Sequence, residues 1–88
     1  MKSIWIVDDD QSIRFVLEKA LLRESLPTRS FTSPREVLQA LDSVGEDDGP
    51  QILVSDIRMP GGSGLDLLTK VKERLPALPV IKIGRAHV

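Results

Sequence analysis

The 88-residue chain lacks cysteine, an excess of charge of either sign, and any long apolar run. Without cysteine no disulfide framework can form, which agrees with a reducing compartment. Its 12 basic and 13 acidic residues give a net charge of −1, which indicates neither a nucleic-acid footprint nor a polybasic membrane patch. No stretch approaches the roughly 20 apolar residues of a membrane span, and no basic leader precedes an apolar segment. We therefore expect one small soluble domain in the cytoplasm, without a membrane partner.

Two acidic clusters stand out in the sequence, each directly after a short apolar run. Residues 3–7 lead into the acidic residues 8–10, and residues 51–55 lead into Asp56. Short apolar runs that stop at polar residues are typical of buried parallel strands that end at a loop. Because parallel strands end at the same edge of a sheet, we expect these carboxylates to meet where open α/β folds bind ligands.

The rest of the chain alternates predicted strands and amphipathic helices in the order β-α-β-α-β-α-β. A helix is predicted near residues 11–24, and capping boxes at 33–36 and 63–66 indicate the starts of two more. Short strands are predicted at 28–31, near a sheet edge, and from residue 78 to 81. This order favours right-handed crossovers and a parallel sheet. The predicted apolar stripe of the first helix consists of Ile13, Val16, Leu17, Ala20 and Leu21.

The carboxylates of Asp8, Asp9 and Asp56 would repel one another if they were all ionised at close range. Two like charges 4 Å apart repel by about 4 kcal/mol at an effective dielectric near 20. Mg²⁺ suits such a site because it binds one or two carboxylates and keeps several waters. An aspartate beside the ion is a competent nucleophile toward a phosphoryl group. The alternative, simple capping of the following helix, accounts for Asp10 but not for an acid at a second strand end.

These residues resemble the receiver domain of two-component response regulators. The resemblance rests on Ile-Val-Asp-Asp-Asp at 6–10 with Ser-Ile-Arg at 12–14, on Ser-Asp-Ile-Arg-Met-Pro-Gly at 55–61, and on Gly-Leu at 64–65. It extends from residue 3 to residue 81, and its Asp-x-x-Met-Pro-Gly segment is highly specific. Within the family, the residues of the motifs at 6–14 and 55–61 most resemble those of the nitrogen regulatory protein C (NtrC) type.

The resemblance implies an α/β fold of the flavodoxin-like (CheY-like) kind, a doubly wound parallel sheet with strand order 2-1-3-4-5. It makes Asp56 the phospho-acceptor, which takes a phosphoryl group from the phosphohistidine of a sensor histidine kinase. Asp9 would bind Mg²⁺ directly, Asp8 would act mainly through water, and Arg58 would contribute its backbone carbonyl. The domain would then be a signalling module that phosphorylates itself rather than an enzyme.

The C-terminal part of the sequence departs from the family pattern. Receivers carry a threonine or serine after strand four and a lysine after strand five, and neither is present here. We therefore interpret residues 1–81 as a partial receiver domain, truncated within or just after strand four. Residues 82–88 read as a non-native tail translated from a sequencing-library adapter. Strand four would then be an exposed edge, and we expect the isolated chain to fold poorly or to aggregate.

By resemblance to the NtrC type, the parent protein would regulate transcription in nitrogen regulation. It would dimerise through its receivers and act on DNA and sigma-54 polymerase through downstream domains. One alternative is a haloacid-dehalogenase-like phosphatase, in which Asp8 of an Asp-x-Asp pattern is the nucleophile. Pro60 and Gly61, which follow the Asp56 loop, have no role in that alternative. A non-functional fragment is the other alternative.

Overall fold

Four strands alternate with three helices in the part of the chain that the structure describes. The computed structural model describes residues 2–44, 49–56 and 64–83, and for residues 64–65 the backbone alone. Ser63, which begins the second predicted capping box, lies outside this part. None of the described helices is long and apolar enough to cross a membrane. The elements are β1 (Ile4–Val7), α1 (Gln11–Arg23), β2 (Thr28–Phe31), α2 (Pro34–Ser43), β3 (Ile52–Asp56), α3 (Gly64–Arg74) and β4 (Val80–Ile83).

The strands form one parallel sheet in the order β2-β1-β3-β4. This order confirms the predicted doubly wound sheet, since it reproduces the 2-1-3-4 part of the expected arrangement, with β2 at an edge. In the register of the two central strands, Val7 lies opposite Ser55. Asp8, which directly follows β1, and Asp56, the last residue of β3, therefore lie side by side.

The sheet separates two apolar clusters because successive strand side chains point to opposite faces. On one face Trp5, which is 1% exposed, packs with its ring centroid 5.0 Å from that of Phe31, beneath α2 and α3. On the other face Ile4 and Ile6 pack beneath α1. Both runs predicted to be buried strands are therefore buried on their two faces, as expected for a parallel sheet covered by helices.

Helix α1 is amphipathic as predicted, but two residues of its apolar stripe are exposed. Leu17 and Leu21 pack against the cluster beneath α1, whereas Val16 is 61% exposed and Ala20 is also exposed. The reason is that α1 packs over β1 and β2, and in the described part of the chain no second helix lies on this face. Ile81 of β4 is 52% exposed on the same face.

The start of α2 has the predicted capping box. The hydroxyl oxygen of Ser33 accepts a hydrogen bond from the backbone N–H of Glu36 at 3.4 Å, and Pro34 occupies the first turn. The Glu36 carboxylate accepts hydrogen bonds from the hydroxyl and, at 3.0 Å, the backbone N–H of Thr32. These bonds lower the pKa of Glu36 because they favour its ionised form. The charge also interacts favourably with the N-terminal end of the helix dipole.

The end of α1 is a Schellman turn with serine at the position that favours glycine. Leu26 N–H donates to the carbonyl of Leu21 at 3.0 Å, and Ser25 N–H donates to that of Leu22 at 2.9 Å. Ser25 has a φ of 59°, which makes it the only non-glycine residue with positive φ in the described part of the chain. A side chain with a Cβ is strained in this left-handed conformation.

We expect Ser25→Gly to stabilise the chain by about 0.5–1 kcal/mol, because relief of the left-handed strain exceeds the added entropy of the unfolded chain. Thermal unfolding followed by circular dichroism should show Tm rising by about 2–8 °C. Ser43→Gly is the matched control, since Ser43 lies within the last turn of α2 and has no positive φ. That variant should lower Tm. A Ser25→Gly variant that melts below the unsubstituted chain would contradict the assignment of strain to this turn.

Candidate acidic metal and phosphoryl site

Three carboxylates converge at the carboxyl edge of the central strands. Asp8, Asp9 and Asp56 each offer an oxygen, and these oxygens all lie within 4.8 Å of one another. Asp8 and Asp56 are buried, at 1% and 2% exposure, whereas Asp9 is exposed. The structure therefore brings together the three acidic residues that the sequence predicted to meet. Arg58, the fourth predicted ligand, lies outside the described residues.

Hydrogen bonds in the turn between β1 and α1 hold the backbone that carries Asp8 and Asp9. Asp8 N–H donates to the carbonyl of Phe31 at 3.1 Å, and Asp8 Oδ1 accepts from Asp10 N–H at 2.8 Å. Asp10 in turn caps α1, because its Oδ1 accepts from the N–H groups of Ser12 at 2.8 Å and Ile13 at 3.4 Å. Capping thus explains Asp10, as the sequence suggested, but not the convergence of Asp9 with Asp8 and Asp56.

One residue near the site was given no role by the sequence reasoning. Arg14 lies in the first turn of α1, and its Nη1 donates to the backbone carbonyl of Asp8 at 2.6 Å. The side chain is half-buried. The feature of the sequence that could have drawn attention to Arg14 is its place four positions after the N-cap Asp10, where the helix dipole disfavours a cation. The hydrogen bond to the Asp8 carbonyl offsets this unfavourable interaction.

The donor set of this site is made of oxygen atoms alone. Carboxylate oxygens are the ligands that Mg²⁺ and Ca²⁺ prefer, whereas zinc sites in proteins use nitrogen and sulfur as well. In an octahedral Mg²⁺ shell, oxygens are separated by about 3 Å when adjacent and about 4.2 Å when opposite. The spread of 4.8 Å between the carboxylate oxygens is close to this range, so small side-chain rotations would bring them into place. The residues present therefore fit a hard divalent cation.

The fold and the site together define a flavodoxin-like domain with an acidic site at the carboxyl ends of its two central strands. The family described as "Response regulator receiver domain" matches residues 4–87. The chain therefore belongs to the family of response regulator receiver domains, as its motifs predicted. Receiver domains of this family act as phosphorylation switches and bind Mg²⁺ at an acidic pocket, and the acidic cluster of this chain could bind such an ion.

The relatives of this chain include proteins of the predicted NtrC type. It is 51% identical over 85 residues to the DNA-binding transcriptional regulator NtrC of Proteus hauseri, covering 97% of this chain and 17% of that protein. The solution structure of the apo receiver domain of nitrogen regulatory protein C is 51% identical, with a TM-score of 0.79, over 92% of this chain and 62% of that one. The predicted similarity to NtrC-type receivers is confirmed. The chain spans only about a sixth of the length of these curated relatives.

A more distant relative is the response regulator TrrA of Thermotoga maritima. It is 27% identical with a TM-score of 0.83, and the match covers 96% of this chain and 70% of TrrA. TrrA has been solved in complex with Mg²⁺ and BeF, and also in complex with the histidine kinase ThkA. A receiver of the same fold thus pairs with a histidine kinase.

Proposed function

We propose that this chain accepts a phosphoryl group on Asp56 in a two-component phosphorelay. The observation that carries the proposal is the convergence of three carboxylates, within 4.8 Å, at the ends of adjacent parallel strands. Family membership supports the same chemistry. Asp56 is the best candidate for the nucleophile because it ends β3, where the resemblance puts the phospho-acceptor of receivers.

Asp8, Asp9 and Asp56 would hold Mg²⁺ in this proposal, together with the backbone carbonyl of Arg58. When bound, the ion neutralises the carboxylates and polarises the phosphoryl oxygens. Asp9 is the exposed member and can reach a hydrated ion, whereas the buried Asp8 is held by its hydrogen bond from Asp10 N–H. The carboxylate of Asp56 then forms a bond to phosphorus, and the phosphorus–nitrogen bond of the phosphohistidine breaks with its electron pair returning to the imidazole.

The partner in this reaction would be a sensor histidine kinase, which supplies the phosphohistidine. The complex of TrrA with ThkA supports this class of partner. In the longer protein that NtrC-type relatives exemplify, phosphorylation would regulate transcription in the cytoplasm. Receiver–receiver dimers, DNA and sigma-54 polymerase would be engaged there, the last two through domains beyond this chain.

Mapping the modified residue tests the proposed function. The 88-residue chain is incubated with acetyl phosphate and Mg²⁺, reduced with borohydride to trap the acyl phosphate, and analysed by peptide mass spectrometry. We expect the label on Asp56, and we expect it to require the divalent cation. Label on Asp8 would instead favour the phosphatase alternative, and no label on either residue would contradict phosphoryl acceptance. Glu73, an exposed acid of α3, serves as the internal control for non-specific modification.

A further inference from the structure

Arg14 contacts the turn between β1 and α1 but is not one of the residues proposed to bind the cation or the phosphoryl group. Arg14 Nη1 lies 2.6 Å from the carbonyl oxygen of Asp8, six residues earlier in the chain. Hydrogen bonds from a charged donor are shorter and about twice as strong as neutral ones. A half-buried guanidinium tied to the backbone of an acidic residue is therefore a strong constraint on that backbone.

The hydrogen bond from Arg14 to Asp8 constrains the backbone on one side of Asp9. Asp9 is exposed, and among the residues that the structure describes none donates a hydrogen bond to its side chain. The orientation of its carboxylate therefore depends on the backbone of its two neighbours. Asp10 is fixed through its caps to α1, and Arg14 N–H donates to the Asp10 carbonyl at 3.1 Å. The Arg14 side chain fixes the other neighbour, Asp8, from the same helical turn. Both ends of the turn that carries Asp9 are thus attached to one residue of α1.

Resting on the proposed function, we infer that Arg14 is a positioning residue of the acidic site. It holds the β1–α1 turn so that the carboxylates of Asp8 and Asp9 face Asp56 before the cation arrives. The guanidinium does this from outside the site, through a backbone carbonyl. It therefore acts on cation affinity rather than on the reacting atoms. Interactions of this supporting kind typically change metal affinity 10–100-fold.

The test compares cation affinity across Arg14 variants of the 88-residue chain. Mg²⁺ binding is measured by isothermal titration calorimetry at a temperature where circular dichroism shows each protein folded. Arg14→Met keeps the apolar stem and removes the donors, and we expect the Kd for Mg²⁺ to rise about tenfold. The rate of phosphorylation by acetyl phosphate at saturating Mg²⁺ should stay within about threefold of the unsubstituted chain. Arg14→Lys keeps a charged donor and should restore most of the affinity.

Two further variants separate positioning from general stability. Arg23→Met removes an exposed arginine from the last turn of the same helix, and it should leave the Kd unchanged. Arg14→Gln is two bonds shorter and keeps a good helix former, so it carries the test if Arg14→Met does not fold. An unchanged Kd in the folded Arg14→Met or Arg14→Gln variant overturns this inference alone. Absence of Mg²⁺ binding by the unsubstituted chain overturns the proposed metal site as well.

Discussion

We expect replacement of Asp56 with asparagine to reduce phosphorylation of the chain by acetyl phosphate by about 100-fold or more. The amide has nearly the shape of the carboxylate, so it fits the buried end of β3, where Asp56 is 2% exposed. It carries no negative charge and cannot form the acyl phosphate, and loss of a nucleophile costs orders of magnitude in rate. The measurement is the amount of phosphoaspartate formed over time, resolved by mass spectrometry from the unmodified chain.

Asp66→Asn is the matched control for this prediction. It makes the same chemical change at an exposed acid in the first turn of α3. We expect its rate of phosphorylation to match that of the unsubstituted chain. Phosphorylation that persists in the Asp56→Asn variant, with the label on Asp8, would reject the receiver mechanism. Circular dichroism of each variant shows whether a loss of label reflects chemistry or unfolding.

We expect replacement of Asp8 with asparagine to raise the stability of the metal-free chain and to weaken its stabilisation by Mg²⁺. Asp8 and Asp56 are both buried, and their carboxylate oxygens lie within 4.8 Å of each other. At that separation two charges repel by roughly 3–4 kcal/mol at an effective dielectric of 20. Because relaxation and solvent reduce this figure, we expect a net gain of about 1–2 kcal/mol from removal of one charge. The asparagine oxygen can still accept the hydrogen bond from Asp10 N–H.

Thermal unfolding with and without Mg²⁺ measures both effects. One kcal/mol corresponds to about 4–8 °C in Tm for a domain of this size, so Asp8→Asn should melt about 4–16 °C higher without the ion. Saturating Mg²⁺ at 100 times its Kd would stabilise the unsubstituted chain by about 2.7 kcal/mol, and this shift should largely disappear in the variant. Glu73→Gln removes an exposed acid and should change neither value. A variant that melts lower without the ion would refute repulsion between these carboxylates.

The residues that form the acidic site could be predicted because local sequence fixes where each strand ends. The apolar residues of β1 and β3 stop abruptly at Asp8 and Asp56, and parallel strands necessarily end at one edge. The capping residues Asp10 and Ser33 were predictable for the same reason, since a cap acts within one helical turn. These features depend on neighbours in the chain, so periodicity and residue type are sufficient to find them.

Features that depend on distant contacts could not be predicted in this way. The stripe of α1 contained Val16, whose exposure of 61% follows from which strands α1 covers rather than from helical spacing. The strained Ser25 depends on how the chain leaves that helix to enter β2. The same is true of Arg14, because only a folded turn brings its guanidinium to the carbonyl of Asp8.

By itself, the sequence determined the alternation of strands and helices, the two strand ends that carry acids, and the family whose motifs they match. Each of these is encoded in hydrophobic period and in residues a few positions apart. Only the tertiary structure decided that the register of β1 on β3 puts Asp8 beside Asp56, and that the guanidinium of Arg14 donates a hydrogen bond to the backbone carbonyl of Asp8. The physical reason is that strand pairing and helix docking bring together residues far apart in the chain, whose packing no local pattern specifies.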